Sequence, residues 1–346
     1  MRQFIELLKD HYENGLPFVA YRYPNTSAIH VLLQSDLKWN EWSDQEGFVV
    51  VDFLWQKPFY FPKEVCQHVT FESNFTSYED VYPGFQEKEL DQKAFEQLVQ
   101  QAIEDIRIGD FQKVVLSRKI ALQEITNFTY IVNRLFERFP KAFNYVYFHP
   151  NIGCWMGATP EVLLLNENQK YQTVALAGTI YKSENEFIEF TDKELIEQKI
   201  VADYYHEILL DELVQLQVSP AKIVSAANVQ HLKSEVAFEV KPSVSTIHVL
   251  KKIHPTPAVG GTPKETSLQW ISKNEGYPRE FYTGFLGEFS ANQSQLYVQL
   301  RCMQWKEKVQ TLYVGCGITK DSNPTKEFIE THEKAKAMYQ IIKECN

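Results

Sequence analysis

Apolar residues fall at helical spacing over residues 3–13, where Phe4, Ile5 and Leu8 share one face of an amphipathic helix. From about residue 17 to 60 the pattern changes to short apolar runs closed by turn residues, FVAYRY, AIHVLL and FVVVDFLW, which predict strands. Residues 61–88 are rich in Pro, Ser and aromatics and predict a long irregular connection. Helical spacing returns over 90–108. KVVLSRKIAL then reads as a strand, a helix is expected near 126–138, and FNYVYFHP, GCWMGATP, EVLLLNE and YQTVALAGT give four strand-like runs in succession. The longest helical pattern covers 191–216, with short strands and turns expected over 222–250 and a helix at about 264–273. Three further strands, FYTGFLGEF, QLYVQLRCM and TLYVGCGIT, precede a closing helix that Asn323 or Ser322 could cap, with Pro324 in its first turn.

Hairpin-like runs of strands with helices inserted between them predict an α+β fold. Large, mostly antiparallel sheets are expected to pack face to face as a sandwich, with helices outside. No G-x-G-x-x-G follows a first strand and β and α do not alternate regularly, which argues against dinucleotide-binding and TIM-barrel architectures.

Charge and cysteine content narrow the partners. The formal charge of −10 over 346 residues argues against nucleic acid or an anionic membrane as a general partner, though not against an anionic substrate held by a local cation. No apolar run is long enough to span a bilayer, and the acid-containing amphipathic start does not read as a signal peptide. Five cysteines with no C-x-x-C pair are read as reduced thiols, so a cytoplasmic location is expected.

Two Glu-x-x-Glu pairs, Glu194/Glu197 and Glu327/Glu330, lie in segments that read as helix. Residues three apart share a helix face, so each pair projects two carboxylates in one direction. Either pair alone is compatible with a solvated face. Four converging carboxylates would instead need a hard cation between them, and Mg²⁺ fits because it takes oxygen ligands and keeps waters a substrate can displace.

Other motifs accompany them in a fixed order: KVVLSR from Lys113, TPE ending at Glu161, LAGT ending at Thr179, HPTPAVGGTP from His254, REFYTG over Arg279–Gly284, VQLR ending at Arg301, and GCG over Gly315–Gly317. Together these resemble the chorismate-utilising enzymes, over roughly residues 90–340. Lysine at 113, Ala258 within HPTPAVGGTP, and ALAGT in place of a lysine-bearing PIKGT resemble the isochorismate synthase members rather than the aminating ones.

The resemblance implies one chorismate-binding domain over 1–346, with 1–90 a shortened, more variable part and 91–346 the catalytic core. It implies transfer of a hydroxyl from C4 to C2 of chorismate, with Lys113 as base and Glu161 as acid. The lysine must be neutral and the glutamate protonated to act in those roles. Glu197 and Glu330 are implied as Mg²⁺ ligands, with Glu194 and Glu327 supporting metal-bound waters. Arg301 and Tyr282 are implied to hold the enolpyruvyl carboxylate, and Gly315 and Gly317 to offer backbone donors. Gly178 and Thr179 are implied to contact the ring carboxylate, and His231 to lie near the reacting ring, whereas His254 reads as a turn-setting residue. A monomer without a glutaminase subunit is expected, serving menaquinone or siderophore biosynthesis. A salicylate synthase, which goes on to eliminate pyruvate, and a non-catalytic chorismate-binding protein remain the alternatives.

Overall fold

Several strand-forming runs lack the apolar–polar alternation of a half-exposed strand, and the reason is that both of their faces are covered. In β1 (Phe18–Arg22) all five residues are buried. Phe18 and Ala20 face helices, while Val19 and Tyr21 face the opposite sheet. The same division holds in β3 (Gly47–Val51), where Phe48 and Val50 point between the sheets and Val49 and Val51 point outward. The computed structural model of the chain describes residues 1–73, 87, 89–122, 127–181, 199–200, 203–226, 229–306 and 309–342, with the backbone alone at 176–181, 225–226 and 229–231.

The N-terminal part holds α1 (Arg2–Glu13), β1, β2 (Ala28–Leu33), β3, β4 (Phe59–Pro62) and β5 (Gln67–Glu72). Next come α2 (Glu89–Ile108), β6 (Lys113–Leu122), α3 (Phe128–Arg138), β7 (Phe143–His149), β8 (Gly153–Thr159), β9 (Val162–Glu167) and β10 (Lys170–Tyr181). After a described helical stretch at 203–208 follow β11 (Leu213–Val218), β12 (Lys222–Ala226), β13 (Val229–Val240), α4 (Thr246–Ile253), β14 (Gly261–Thr262) and α5 (Lys264–Asn274). The chain ends with β15 (Phe285–Phe289), β16 (Gln293–Val298), β17 (Cys302–Lys306), β18 (Val309–Ile318) and α6 (Pro324–Ile342).

These strands form two nine-stranded sheets. The first runs β14-β6-β18-β17-β8-β7-β1-β2-β5; the second runs β11-β13-β10-β9-β16-β15-β3-β4, with β12 also on β13. The pairings are antiparallel, as in β1 on β7 and β18 on β6. Aromatic side chains from both sheets, among them Tyr21, Phe48, Tyr145, Trp155, Tyr297 and Tyr313, fill the space between them. Helices α1, α3 and α6 cover the outer face of the first sheet. Helix α4 and the stretch at 203–208 cover that of the second.

Three expectations fail locally. Residues 213–218 are strand β11 rather than the end of a helix. Val214, Leu216 and Val218 alternate with polar residues, a strand period hidden by the helical pattern before it. Residues 61–88 are not irregular throughout, since Phe61 and Pro62 belong to β4 and Gln67–Glu72 form β5 against β2. That edge strand is largely exposed and carries little apolar signal. Within 222–250 the structure places α4, whose N-cap Ser245 accepts from the His248 N–H.

One buried ion pair binds three separate segments. Arg279 donates to both oxygens of Glu275 at 2.7 Å, to the Val259 carbonyl at 2.8 Å and to the Val115 carbonyl at 2.6 Å. Glu275 in turn accepts from the Ser117 N–H at 2.6 Å. Both side chains are at most 1% exposed. Burial works against the Arg279 charge, but the Glu275 carboxylate outweighs it and holds the guanidinium above its ordinary pKa. Glu275→Ala leaves a buried guanidinium unpaired, so a loss of about 3–5 kcal/mol in urea unfolding is expected. A loss under about 1 kcal/mol, the scale of a surface pair, would show that the pair does not lock the fold.

Candidate active site

Lys113 opens β6, and the turn after His254 sets its register. Gly261 and Thr262 pair with Val114 and Lys113. The Gln112 and Val115 N–H groups donate to the Thr262 and Gly260 carbonyls at 2.8 Å. The Ser267 hydroxyl donates to the Lys113 carbonyl at 3.1 Å. Gly261 has φ +149°, and a Cβ there would lie 2.3 Å from that same carbonyl oxygen, so only glycine fits. His254 stands behind the turn, with Nε2 3.1 Å from the Phe53 carbonyl and its ring 4.9 Å from that of Phe285. Burial first, and then the Lys264 charge, lower its pKa to about 3. It is a neutral structural histidine, as its place in the turn motif suggests.

Glu161 follows Thr159 and Pro160 at the end of β8, where the Thr159 hydroxyl accepts its N–H at 3.2 Å. The side chain lines a pocket together with Lys113, Tyr282, Arg301, Gly315 and Glu330. The residue is 4% exposed. Burial raises its pKa to about 8, against the opposing pull of the Lys113, Lys233 and Lys334 charges. At neutral pH this carboxyl keeps its proton.

Two close approaches shape the opposite wall. Arg301 has φ +47°, rare for a residue with a side chain, and its carbonyl accepts from the Ala158 N–H at 3.1 Å. Gly157 makes room for that turn, since a Cβ there would lie 2.7 Å from the Arg301 carbonyl oxygen. A Cβ at Gly315 would meet the Leu116 carbonyl oxygen at 2.6 Å and the Tyr282 hydroxyl at 3.0 Å. Gly317 lines the same wall.

Helix α6 supplies the acidic side, and Asn323 caps it through its side-chain oxygen, which accepts from the Lys326 N–H. Glu330 reaches the pocket, where Lys334 Nζ lies 2.6 Å from one carboxylate oxygen and donates to the Gly315 carbonyl at 2.9 Å. Glu327 is 2% exposed and does not line the pocket, which suits a supporting place rather than direct contact with a ligand. The helix is held against β6 by Arg118, which bonds Glu87 and donates to the Thr331 hydroxyl at 2.8 Å. His332 Nδ1 lies 2.6 Å from Glu87 Oε1, which also accepts from Arg118 Nη2 at 2.9 Å. Burial works to raise the Glu87 pKa, but the bonds from Arg118 and His332 prevail and hold it at about 2.

Seven of the residues expected from the sequence therefore meet in one pocket: Lys113, Glu161, Tyr282, Arg301, Gly315, Gly317 and Glu330. Glu194 and Glu197 lie outside the described residues. Gly178 and Thr179 lie in β10 and His231 in β13, and Thr179 pairs with His231 in the ladder. Their side chains are likewise outside the description. Among the described residues no cluster of three His, Cys, Asp or Glu side chains could hold a metal. Glu330, an acid that lines the pocket with an ammonium as its counter-ion, still has the donor chemistry of a hard-cation site.

Lys334, Tyr313, Thr283 and Cys316 also line the pocket and were not anticipated. Lys334 was legible in principle, because it stands four residues after Glu330 on one helix face. Tyr313 carries no local signal that separates it from a core aromatic.

Residues 62–343 match the family model described as chorismate binding enzyme. Isochorismate synthase EntC of Escherichia coli (strain K12) is 26% identical over 264 residues, 73% of this chain and 68% of that protein. Isochorismate synthase MenF of the same strain is 28% identical over 262 residues, 73% of this chain and 61% of that protein. The crystal structure of a putative 2,3-dihydroxybenzoate-specific isochorismate synthase, DhbC from Bacillus anthracis, superposes with a TM-score of 0.78 at 23% identity, covering 97% of this chain and 99% of that one. That likeness establishes the fold. No helix among the described residues is long and apolar enough to cross a membrane.

The raised pKa of Glu161 has a measurable consequence. Its folded value, about 8, exceeds the ordinary 4.5. The stability contributed by its proton is therefore complete below pH 4.5 and is lost as pH rises toward 8. Glu161→Gln cannot ionise. Across this window the parent should lose up to about 1.4 kcal/mol per pH unit relative to the variant in urea unfolding. A stability difference independent of pH would disprove the raised value.

Proposed function

The chain belongs to the chorismate binding enzyme family, and on that premise we propose that it is an isochorismate synthase, an isomerase that moves a hydroxyl from C4 to C2 of chorismate. The observation that carries this reading is the pairing, in one pocket, of Lys113 with a Glu161 that keeps its proton near neutral pH. Water adds at C2, the ring double bonds shift, and the C4 hydroxyl departs. Lys113 takes the proton from the attacking water, and Glu161 gives one to the leaving oxygen, which departs as water. A water is consumed and a water is released. Because the nucleophile is water and not ammonia, no glutaminase partner is needed.

The pocket offers the means of holding such a substrate. Arg301 and Tyr282 suit the enolpyruvyl carboxylate, since a planar guanidinium can donate to both of its oxygens. Glu330, with Glu197 from outside the described residues, would hold Mg²⁺, and Glu194 and Glu327 would support its waters. The ion, when bound, would neutralise the ring carboxylate and draw electron density from the ring. The product would enter menaquinone or siderophore biosynthesis.

Incubating the purified protein with chorismate and Mg²⁺ and separating the products by chromatography is expected to yield isochorismate without pyruvate. Pyruvate release would make it a salicylate synthase, and no conversion by folded protein would refute the enzyme reading. Lys113→Ala is expected to lower kcat by about 10²–10⁴-fold while calorimetric binding of chorismate persists. Loss of binding in equal measure would show that Lys113 is not a base.

A further inference from the structure

Glu280 precedes the pocket by two residues in the chain, but it does not line the pocket. It borders a separate groove with Phe53, Lys57 and Phe281, on the other side of the segment that presents Tyr282 and Thr283 to the pocket. Its backbone has φ +51°, and Thr283 has φ +62°. Two side-chain-bearing residues in this region of backbone space, three positions apart, mark a segment held by its surroundings. The Phe53 N–H donates to the Glu280 carbonyl at 2.9 Å, which fixes the turn from outside.

From this position a short chain of hydrogen bonds leads to the pocket wall. Gln304 Nε2 donates to a Glu280 carboxylate oxygen at 3.0 Å and to the Ile152 carbonyl at 3.1 Å. An amide nitrogen committed to these two acceptors leaves Gln304 Oε1 facing the other way. There it accepts from the Tyr313 hydroxyl at 3.0 Å. The Tyr313 ring lines the pocket and stacks on Tyr282 with centroids 5.5 Å apart. Trp155 stacks on Tyr313 at 5.0 Å. An amide can present its oxygen or its nitrogen to a phenol, and only the oxygen suits a phenol that donates. The Glu280 carboxyl oxygen and the Ile152 carbonyl, both accepting from Gln304 Nε2, select that orientation.

We propose that Glu280 and Gln304 are positioning residues for the proposed reaction, setting the Tyr313–Tyr282 wall against which the substrate is bound. Neither touches the substrate. Glu280 fixes the Gln304 amide, the amide fixes the Tyr313 hydroxyl, and the two stacked rings follow. Such a role governs how well the substrate is seated and leaves the proton transfers at Lys113 and Glu161 alone. Its signature is therefore a change in KM and not in kcat.

This inference rests on the isochorismate synthase reading, and the parent protein assayed alongside separates the two: an inactive parent overturns both, whereas an active parent leaves the wall to be judged by its variants. Gln304→Leu is expected to raise KM for chorismate by about tenfold with kcat changed less than about twofold. Glu280→Ala should do the same, and Glu280→Gln, whose side-chain oxygen can still accept from Gln304, should restore most of the parent value. The effect of Gln304→Leu should vanish in a Tyr313→Phe background, where the hydroxyl it orients is gone. Unfolding curves confirm that each variant is folded. If Gln304→Leu loses its fold, the Glu280→Ala and Glu280→Gln pair with the Tyr313→Phe background carries the same comparison. A fall in kcat at unchanged KM, or effects of the position 304 or 280 variants that simply add to that of Tyr313→Phe, would overturn the proposal.

Discussion

The Glu275–Arg279 ion pair is the constraint on which the site depends. A charged pair sealed from water is favourable only when its remaining donors and acceptors are satisfied. Here they are satisfied by the backbone of the site itself: the Val115 carbonyl and Ser117 N–H of β6, and the Val259 carbonyl of the turn after His254. The strand that starts with Lys113, the turn that registers it and the segment that carries Tyr282 thus share one electrostatic centre. Glycines at 261 and 315 allow backbones to approach that centre more closely than any side chain would permit.

Around this anchor the fold places two acids in opposite environments. Glu161 sits where burial dominates and keeps its proton. Glu87 sits where Arg118 and His332 dominate and stays ionised, clasping α6 to β6. Glu330, on that clasped helix, faces the pocket beside Lys334. A protonated carboxyl in the pocket and an ionised one behind its helix are thus kept apart by environment alone. The burial of Glu161 and the left-handed backbone at Glu280, Thr283 and Arg301 oppose stability. The aromatic packing between the sheets opposes that loss.

The sandwich explains how distant motifs meet. Antiparallel ladders place Gly315 and Gly317 opposite Ser117 and Val115, and so bring the GCG run beside the strand of Lys113 although about two hundred residues separate them. The next strand inward in the same sheet, β17, begins beside Arg301 and pairs with β8, which leads into Glu161. The pocket thus forms where neighbouring strands of one sheet end, and α6 closes its acidic side.

The sequence by itself determined the fold class, because strand runs, helix periodicity and glycine- and proline-rich turns are local signals that survive in one dimension; the residues that meet in the pocket were legible only as motifs in a fixed order. It misplaced β11 and overlooked β5 and α4, where an edge strand carries little burial signal and a short helix follows irregular chain. Lys113, Glu161, Arg301 and Glu330 were legible as chemistry. Tyr313, Gln304 and the Glu275–Arg279 lock were not, since a residue acquires such a role only from partners that are remote in the chain. Tertiary structure alone decided which carboxyl would be neutral. A pKa is set by the dielectric and charges around a group, and those surroundings exist only once the chain has folded.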